Sequence, residues 1–384
     1  MLIFQNNFQH FIIFYMYSKR KYYCLFFIIV FFFSPFVSDG QNSSSPNFLI
    51  SESGNFGFII THRNNIGNLI KGHIYGPELS FIIPTNGSKP WHQIHKYPEI
   101  GLSFIHLYLS NPTQLGNLEA LYPYVNFRLN KLQGKLNLNF RVGVGLAFLT
   151  KSFDRIDNHQ NNVIGSRLNG AVILRFNANI LLTKALRMET GMGLTHASNG
   201  ALRTPNLGLN MATVNLGLTY AFGNKELNLE PHTFAPSYKK WQSSFIAVLG
   251  LKELETPGGN KYLAVGVQAN SYRIINNKIN FGAGIEMAYN NATKKMWLNT
   301  SILNKSTADI IQVGAKICYS YNLTRLSMPI DFGVYVYKKQ SYNGMFFHRI
   351  GLRYLLNQHL VINATLLTHW AKADYFEWGL GYQF

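Results

Sequence analysis

The chain predicts an all-β fold, a transmembrane antiparallel β-barrel behind an N-terminal leader. Three observations carry this: a basic and then apolar N-terminus, recurrent period-two alternation, and a composition poor in charge but rich in aromatics. Only 14% of the 384 residues are charged, against roughly 25% in an ordinary soluble domain. Aromatics reach 15%, and there are 32 glycines. A sheet with one greasy face, a Tyr/Trp/Phe girdle and a small-residue lumen has this composition. The formal charge is +18. Its Lys and Arg are scattered, and no recognition helix or zinc-finger pattern accompanies them, so nucleic acid is not an expected partner. A basic barrel suits phosphorylated membrane lipids. Of the two cysteines, Cys24 falls in the leader, which leaves Cys318 alone. One thiol builds neither a disulfide framework nor a metal cluster, and no phosphate-cradling or zinc motif occurs, so no metal or other cofactor is expected.

The leader is read from Lys19, Arg20 and Lys21 followed by the apolar run Cys24 to Phe33. A basic region ahead of a short apolar one is a secretory signal. Ser38 and Gly40 are small residues before a cut at Gln41, which makes residues 1–40 the signal peptide. A start at Met16 gives a leader of about 25 residues, the more usual length. The stretch Leu25 to Val37 is short for a spanning helix, which needs about 20 residues.

Beyond the leader, alternation recurs. Leu136, Leu138, Phe140, Val142, Val144 and Leu146 alternate with Asn137, Asn139, Arg141, Gly143 and Gly145. The segments Leu263–Gln268 and Ile279–Glu286 repeat the pattern, as do Phe376, Trp378, Leu380, Tyr382 and Phe384 against Glu377, Gly379, Gly381 and Gln383. Successive side chains of a strand point to opposite faces, here lipid and lumen. The last strand, ending on Phe384, resembles the C-terminal assembly signal of outer-membrane proteins and implies the barrel assembly machinery as a partner and the bacterial outer membrane as the location. The expected count is about 14 strands (roughly 12 to 16), even because both termini are periplasmic. Thr183–Ala185, Asn276–Lys278 and Asn357–His359 read as periplasmic turns; Asp154–Ser166 and Asn290–Asp309 read as extracellular loops. The link Gly223–Lys240 divides the chain into residues 41–222, which carry the candidate site, and 223–384, additional strands. One continuous barrel is expected, since two would need extra seams.

The segment with chemical content runs from Thr195 to Asn210. His196 and Ser198 are two apart on a strand and share a face. Leu194, Met192 and Met188 lie on that face, with Thr190 the one polar exception, while Arg187, Glu189, Gly191 and Gly193 lie opposite, so the pair is on the mostly apolar face toward lipid. On the next strand Val214, Leu216, Leu218, Tyr220 and Phe222 form the apolar face, and counting back places Asn210 on it. A hydroxyl, an imidazole and an amide thus gather at the extracellular end of a greasy surface. That arrangement suits acyl ester hydrolysis: Ser198 attacks, His196 takes its proton, and Asn210 orients His196. The plainer alternative is a set of polar girdle residues.

The run His196–Ser198–Asn199, with Pro205–Asn206, Gly208 and a following strand ending Tyr220–Ala221–Phe222, resembles the lipid A 3-O-deacylase (PagL) family of outer-membrane barrels. The likeness extends over about residues 55–222. It implies Ser198 as nucleophile, His196 as base, and Asn206, Asn199 and the backbone N–H of Gly200 or Ala201 as oxyanion donors. The implied substrate is lipid A of lipopolysaccharide in the outer leaflet. Arg203 in the same loop, with Lys151 and Arg155 in another, could meet its phosphates. Asn210 stands where that family has glutamate. An asparagine in this place resembles outer-membrane phospholipase A, whose calcium-binding Arg and Ser have Ala201 and Asn206 in their places here. Phospholipid hydrolysis is therefore the second reading. A non-enzymatic pore or structural barrel, its lumen widened by the second set of strands, is the third.

Overall fold

The computed structural model describes residues 48–131, 134–222, 240–254, 256–298, 310–339, 343–370 and 372–384. The leader and nearly all of the 223–240 link lie outside the described residues. Residues Asn47–Phe384 form one compact unit.

Two closed antiparallel barrels of eight strands each make up that unit. The first contains β1 (Phe48–Ile59), β2 (Ile74–Pro84), β3 (Glu99–Asn111), β4 (Gly116–Arg128), β5 (Leu136–Leu149), β6 (Leu168–Leu181), β7 (Leu186–Ser198) and β8 (Leu209–Phe222). The second contains β9 (Trp241–Glu253), β10 (Lys261–Ile274), β11 (Ile279–Asn290), β12 (Ile311–Leu323), β13 (Leu326–Tyr337), β14 (Phe346–Leu355), β15 (Leu360–His369) and β16 (Lys372–Gln383). Short helices α1 (Pro90–Ile94) and α2 (Asn291–Leu298) lie in the β2–β3 and β11–β12 connections.

This corrects the single continuous barrel, while the 16 strands among the described residues fall at the upper end of the expected 12 to 16. Period-two alternation fixes which side chains face lipid, but not which edge strands meet. Here β8 returns to β1 in unbroken register from Phe48↔Phe222 to Ile59↔Met211, and β16 meets β9 from Trp378↔Leu249 to Gln383↔Ser244. A seam carries the same ladder hydrogen bonds as any other strand pair, so a second closure adds no unsatisfied edge. The expected turns and the Asp154–Ser166 loop fall between the strands as anticipated.

Eight strands leave a lumen that side chains fill. In the first barrel Glu78 accepts from Arg141 Nη1 (2.9 Å), Arg175 Nη2 (2.6 Å) and the Tyr122 hydroxyl (2.6 Å). In the second, Arg349 bridges Glu286 and Glu377, each at 2.6 Å, and Lys316 pairs with Asp331 at 2.8 Å. The second set of strands therefore does not widen the first lumen. The outer faces are apolar and exposed, as at Met192, Leu216, Trp378 and Phe384. Cys318 is a buried free thiol.

The two barrels touch at both ends. At the end of the short turns, His95 follows α1 and meets the β12 terminus. Its Nε2–H donates to the Asn322 carbonyl (3.1 Å), so its Nδ1 accepts from the Tyr321 hydroxyl (2.9 Å). Burial, with Lys278 nearby, pushes the His95 imidazole down to about 4, only partly opposed by the bond to Asn322. At the opposite end the contacts fall on the candidate site.

Candidate ester-hydrolysis site

His196 and Ser198 lie at the end of β7, with alternation putting both on the outer face beside exposed Leu194 and Met192. The β7–β8 register pairs His196 directly with Asn210. Directly opposed residues of an antiparallel pair bring their Cβ atoms to about 5 Å, which is why these side chains meet. His196 Nε2 is 3.0 Å from Ser198 Oγ, and His196 Nδ1 is 2.6 Å from Asn210 Oδ1.

A fourth side chain completes the line. Beyond β1, the Ile60 N–H donates to the Asn210 carbonyl (2.8 Å) and brings the strand exit alongside β8. His62 follows, with its Nε2 3.0 Å from the Leu207 carbonyl and its Nδ1 3.1 Å from Asn210 Nδ2. Nδ1 also lies 3.3 Å from the Ile60 carbonyl, but Nε2 makes the shorter carbonyl contact; with Nε2–H donating to Leu207, Nδ1 accepts from the Asn210 NH2. Asn210 then directs its NH2 toward His62 and its Oδ1 toward His196. His196 donates from Nδ1, which leaves Nε2 as an acceptor for the Ser198 hydroxyl. The hydrogen-bond direction thus runs from Ser198 through His196 to Asn210, in the sense that moves a proton off serine.

The loop between β7 and β8 closes over the pair. Gly200 and Ala201 have φ of 61° and 62°, and Gly208 has 78°. At Gly208 a Cβ would sit 2.9 Å from His196 Cε1, so only glycine lets the imidazole lie against the backbone there. Asn206 Oδ1 accepts the Asn199 N–H (3.0 Å), which turns its NH2 group away from that bond. The Asn199 side chain instead binds Ser166 Oγ (2.7 Å) and the Arg203 carbonyl (2.9 Å), with its Oδ1 accepting the Arg203 N–H (3.3 Å). The Asn199 amide is therefore spent on loop structure. Val163 accepts from the Leu207 and Gly208 N–H groups, and Ile164 bridges Asn206, so the Asp154–Ser166 loop backs this one. Arg203 and Lys151 are exposed at the rim. Arg155 is instead bonded to the Pro257 carbonyl of the second barrel. Among the described residues no three His, Cys, Asp or Glu side chains gather as a metal-binding set.

All three proposed members of the proton line were legible in the sequence, because parity alone aligns them. His62 was not: it lies 148 positions from Asn210, and only closure of β1 on β8 brings it near. The contribution of the second barrel was equally invisible. Glu253 Oε2 accepts the Thr204 N–H at 2.6 Å, and the Leu254 carbonyl accepts from Thr204 Oγ1 at 3.0 Å.

Residues 75–219 match the family described as lipid A 3-O-deacylase (PagL). Residues 241–384 match the acyloxyacyl hydrolase, C-terminal domain. Comparison with the curated proteins gives no match. Among solved structures, Neisserial surface protein A (NspA) is 8% identical, over 47% of this chain and 100% of that one, with a TM-score of 0.31. The outer membrane enzyme PagL is 15% identical, over 44% of this chain and 97% of that one, with a TM-score of 0.30. The P. putida toluene transporter TodX is 11% identical, over 89% and 88%, with a TM-score of 0.17. The two family matches fall one on each barrel, and both barrels carry apolar outer faces: the chain belongs to the lipid A deacylase and acyloxyacyl hydrolase family of ester hydrolases, and is an outer-membrane β-barrel protein.

Proposed function

We propose that this barrel removes an ester-linked acyl chain from lipid A in the outer leaflet, at the 3-position, by serine–histidine chemistry on its lipid-facing side. The observation that carries the reading is the one-way hydrogen-bond line Ser198–His196–Asn210–His62. Ser198 Oγ attacks the ester carbonyl carbon while its proton passes to His196 Nε2. Asn210 Oδ1 accepts the Nδ1–H of the imidazolium that forms. The Asn206 NH2 group and the Gly200 N–H are the candidate donors to the oxyanion, a role commonly worth about 3–4 kcal/mol each. Collapse of the tetrahedral species breaks the bond to the sugar oxygen, which leaves with the proton from His196. Water, activated by the same imidazole, then frees a 3-hydroxy fatty acid and restores Ser198. The acyl chain lies along Leu194, Met192, Val172 and Val214, apolar residues exposed on the outer surface. Arg203 is the candidate partner of a lipid A phosphate.

The test compares lipid A from cells expressing the natural protein, Ser198→Ala and His196→Ala, with membrane insertion verified for each. Loss of one acyl chain with the natural protein alone is expected. Identical lipid A profiles from all three would refute the assignment. Asn210 keeps the phospholipase reading open. Purified phosphatidylethanolamine separates the two, since a deacylase of lipid A leaves it intact.

A further inference from the structure

We propose that the second barrel is a positioning part of the ester-hydrolysis site: Glu253 and Phe376 clamp the loop that carries the oxyanion donors. This rests on the reading of Ser198 and His196 given above. Four hydrogen bonds join the second barrel to that loop, the longest from the Thr204 hydroxyl to Glu253 Oε2 at 3.4 Å. Glu253 Oε2 accepts the Thr204 N–H (2.6 Å), the Leu254 carbonyl accepts from the Thr204 hydroxyl (3.0 Å), and the Glu253 N–H donates to the Ala201 carbonyl (2.9 Å). The Phe376 ring, projecting outward from β16, occupies the space that a side chain at Gly200 would need. It also lies over Gly170, where a Cβ would be 3.6 Å from Phe376 Cζ. Gly170 is the register partner of Ser198. Glu253 is only 3% exposed, so its carboxylate is committed to the loop rather than to water.

These contacts fall on the part of the loop least able to hold itself. Gly200 and Ala201 are consecutive left-handed residues, and Ala201 takes that conformation against the steric preference of a side chain bearing a Cβ. The bond from the Glu253 N–H lands on the carbonyl of that residue. Thr204 lies between Arg203, whose backbone binds Asn199 in both directions, and Asn206, whose Oδ1 holds the Asn199 N–H. Fixing Thr204 therefore fixes the Asn206 amide. An oxyanion donor works only when aimed beforehand at the place where charge develops, and sites built on loops are the less precise ones. The second barrel supplies the rigid wall that the loop lacks. Arg155, bonded to the Pro257 carbonyl, ties the adjoining extracellular loop to the same wall.

The test uses the full-length protein in detergent micelles with lipid A as substrate, following fatty acid release together with amide hydrogen exchange. Glu253→Ala should lower kcat about 10- to 100-fold, the effect of a misplacement near 1 Å, with KM little changed. Glu253→Gln keeps an oxygen acceptor for the Thr204 N–H and should retain most of the activity. Phe376→Ala should lower kcat as well. In Glu253→Ala, exchange should quicken over residues 199–206 while the β7 and β8 strands stay protected, which separates a loose loop from an unfolded barrel. Ser198→Ala runs alongside as the control for the chemistry. If Ser198→Ala is inactive but Glu253→Ala has natural kcat and natural loop protection, the clamp is wrong and the serine reading stands. If Ser198→Ala remains active, the serine reading fails and takes the clamp, as a part of that site, with it.

Discussion

Removing the Asn210 side chain tests whether His196 is held in the useful tautomer from behind. In Asn210→Ala the imidazolium loses the Oδ1 acceptor now 2.6 Å from Nδ1. A hydrogen bond to a charged group contributes about 1.5–3 kcal/mol, so kcat should fall about 10- to 150-fold. His62 acts one step further back, through a neutral bond of 3.1 Å to Asn210 Nδ2. Such a bond is worth about 0.5–1.5 kcal/mol, and His62→Ala should cost roughly 2- to 12-fold. Without His62 the Asn210 amide is free to turn over. Its NH2 then faces His196 Nδ1 and favours the tautomer that cannot take the serine proton. The double variant separates the links, because a residue acting only through another adds nothing once that other is gone. Fatty acid release from lipid A by the two single variants and the double variant is the assay. The double variant should match Asn210→Ala, with a coupling of about 1 kcal/mol. Losses that multiply would place His62 outside the line, and a fully active Asn210→Ala would remove Asn210 from it.

Three other outcomes follow from the geometry. Gly208→Ala forces a side chain onto His196 Cε1 at a φ of 78°; acyl release should fall about 100-fold or more while heat-induced unfolding of the barrel in detergent shifts little. Glu78→Gln leaves Arg141 and Arg175 buried without their shared carboxylate; guanidinium unfolding in micelles should show a loss of about 3–5 kcal/mol. The His95 contact should weaken in acid. Its folded-state pKa, about 4, lies below the ordinary imidazole value of 6.5, so the unfolded or separated state binds the proton first. The stabilisation is complete above about pH 6.5 and is lost as the pH falls toward 4; exchange at the Asn322 end of β12 should quicken over that window, and His95→Gln should flatten the dependence.

The Ser198–His196–Asn210 alignment was legible from spacing alone, since the two-residue period of a strand admits no other facing once the lipid side is known. The same rule put Trp378, Leu380 and Tyr382 outside and Glu377 inside. The short turns were equally plain, because Asn, Lys and Thr clusters interrupt the alternation there. The resemblance offers Asn199 as a donor alongside Asn206, and the Asn199 amide is engaged by Ser166 and Arg203. Nothing local distinguishes it from Asn206, and only the folded loop does.

By itself, then, the chain determined an alternating, lipid-facing sheet with a hydroxyl, an imidazole and an amide on one rim, because those features depend on neighbours two positions apart or on one adjacent strand. Only the tertiary structure decided that the sheet closes twice, that His62 arrives behind Asn210, and that Glu253 and Phe376 press on the loop beside Ser198. Each of those depends on which distant edges meet, and every closure that keeps the same inside and outside satisfies the same pattern of residues.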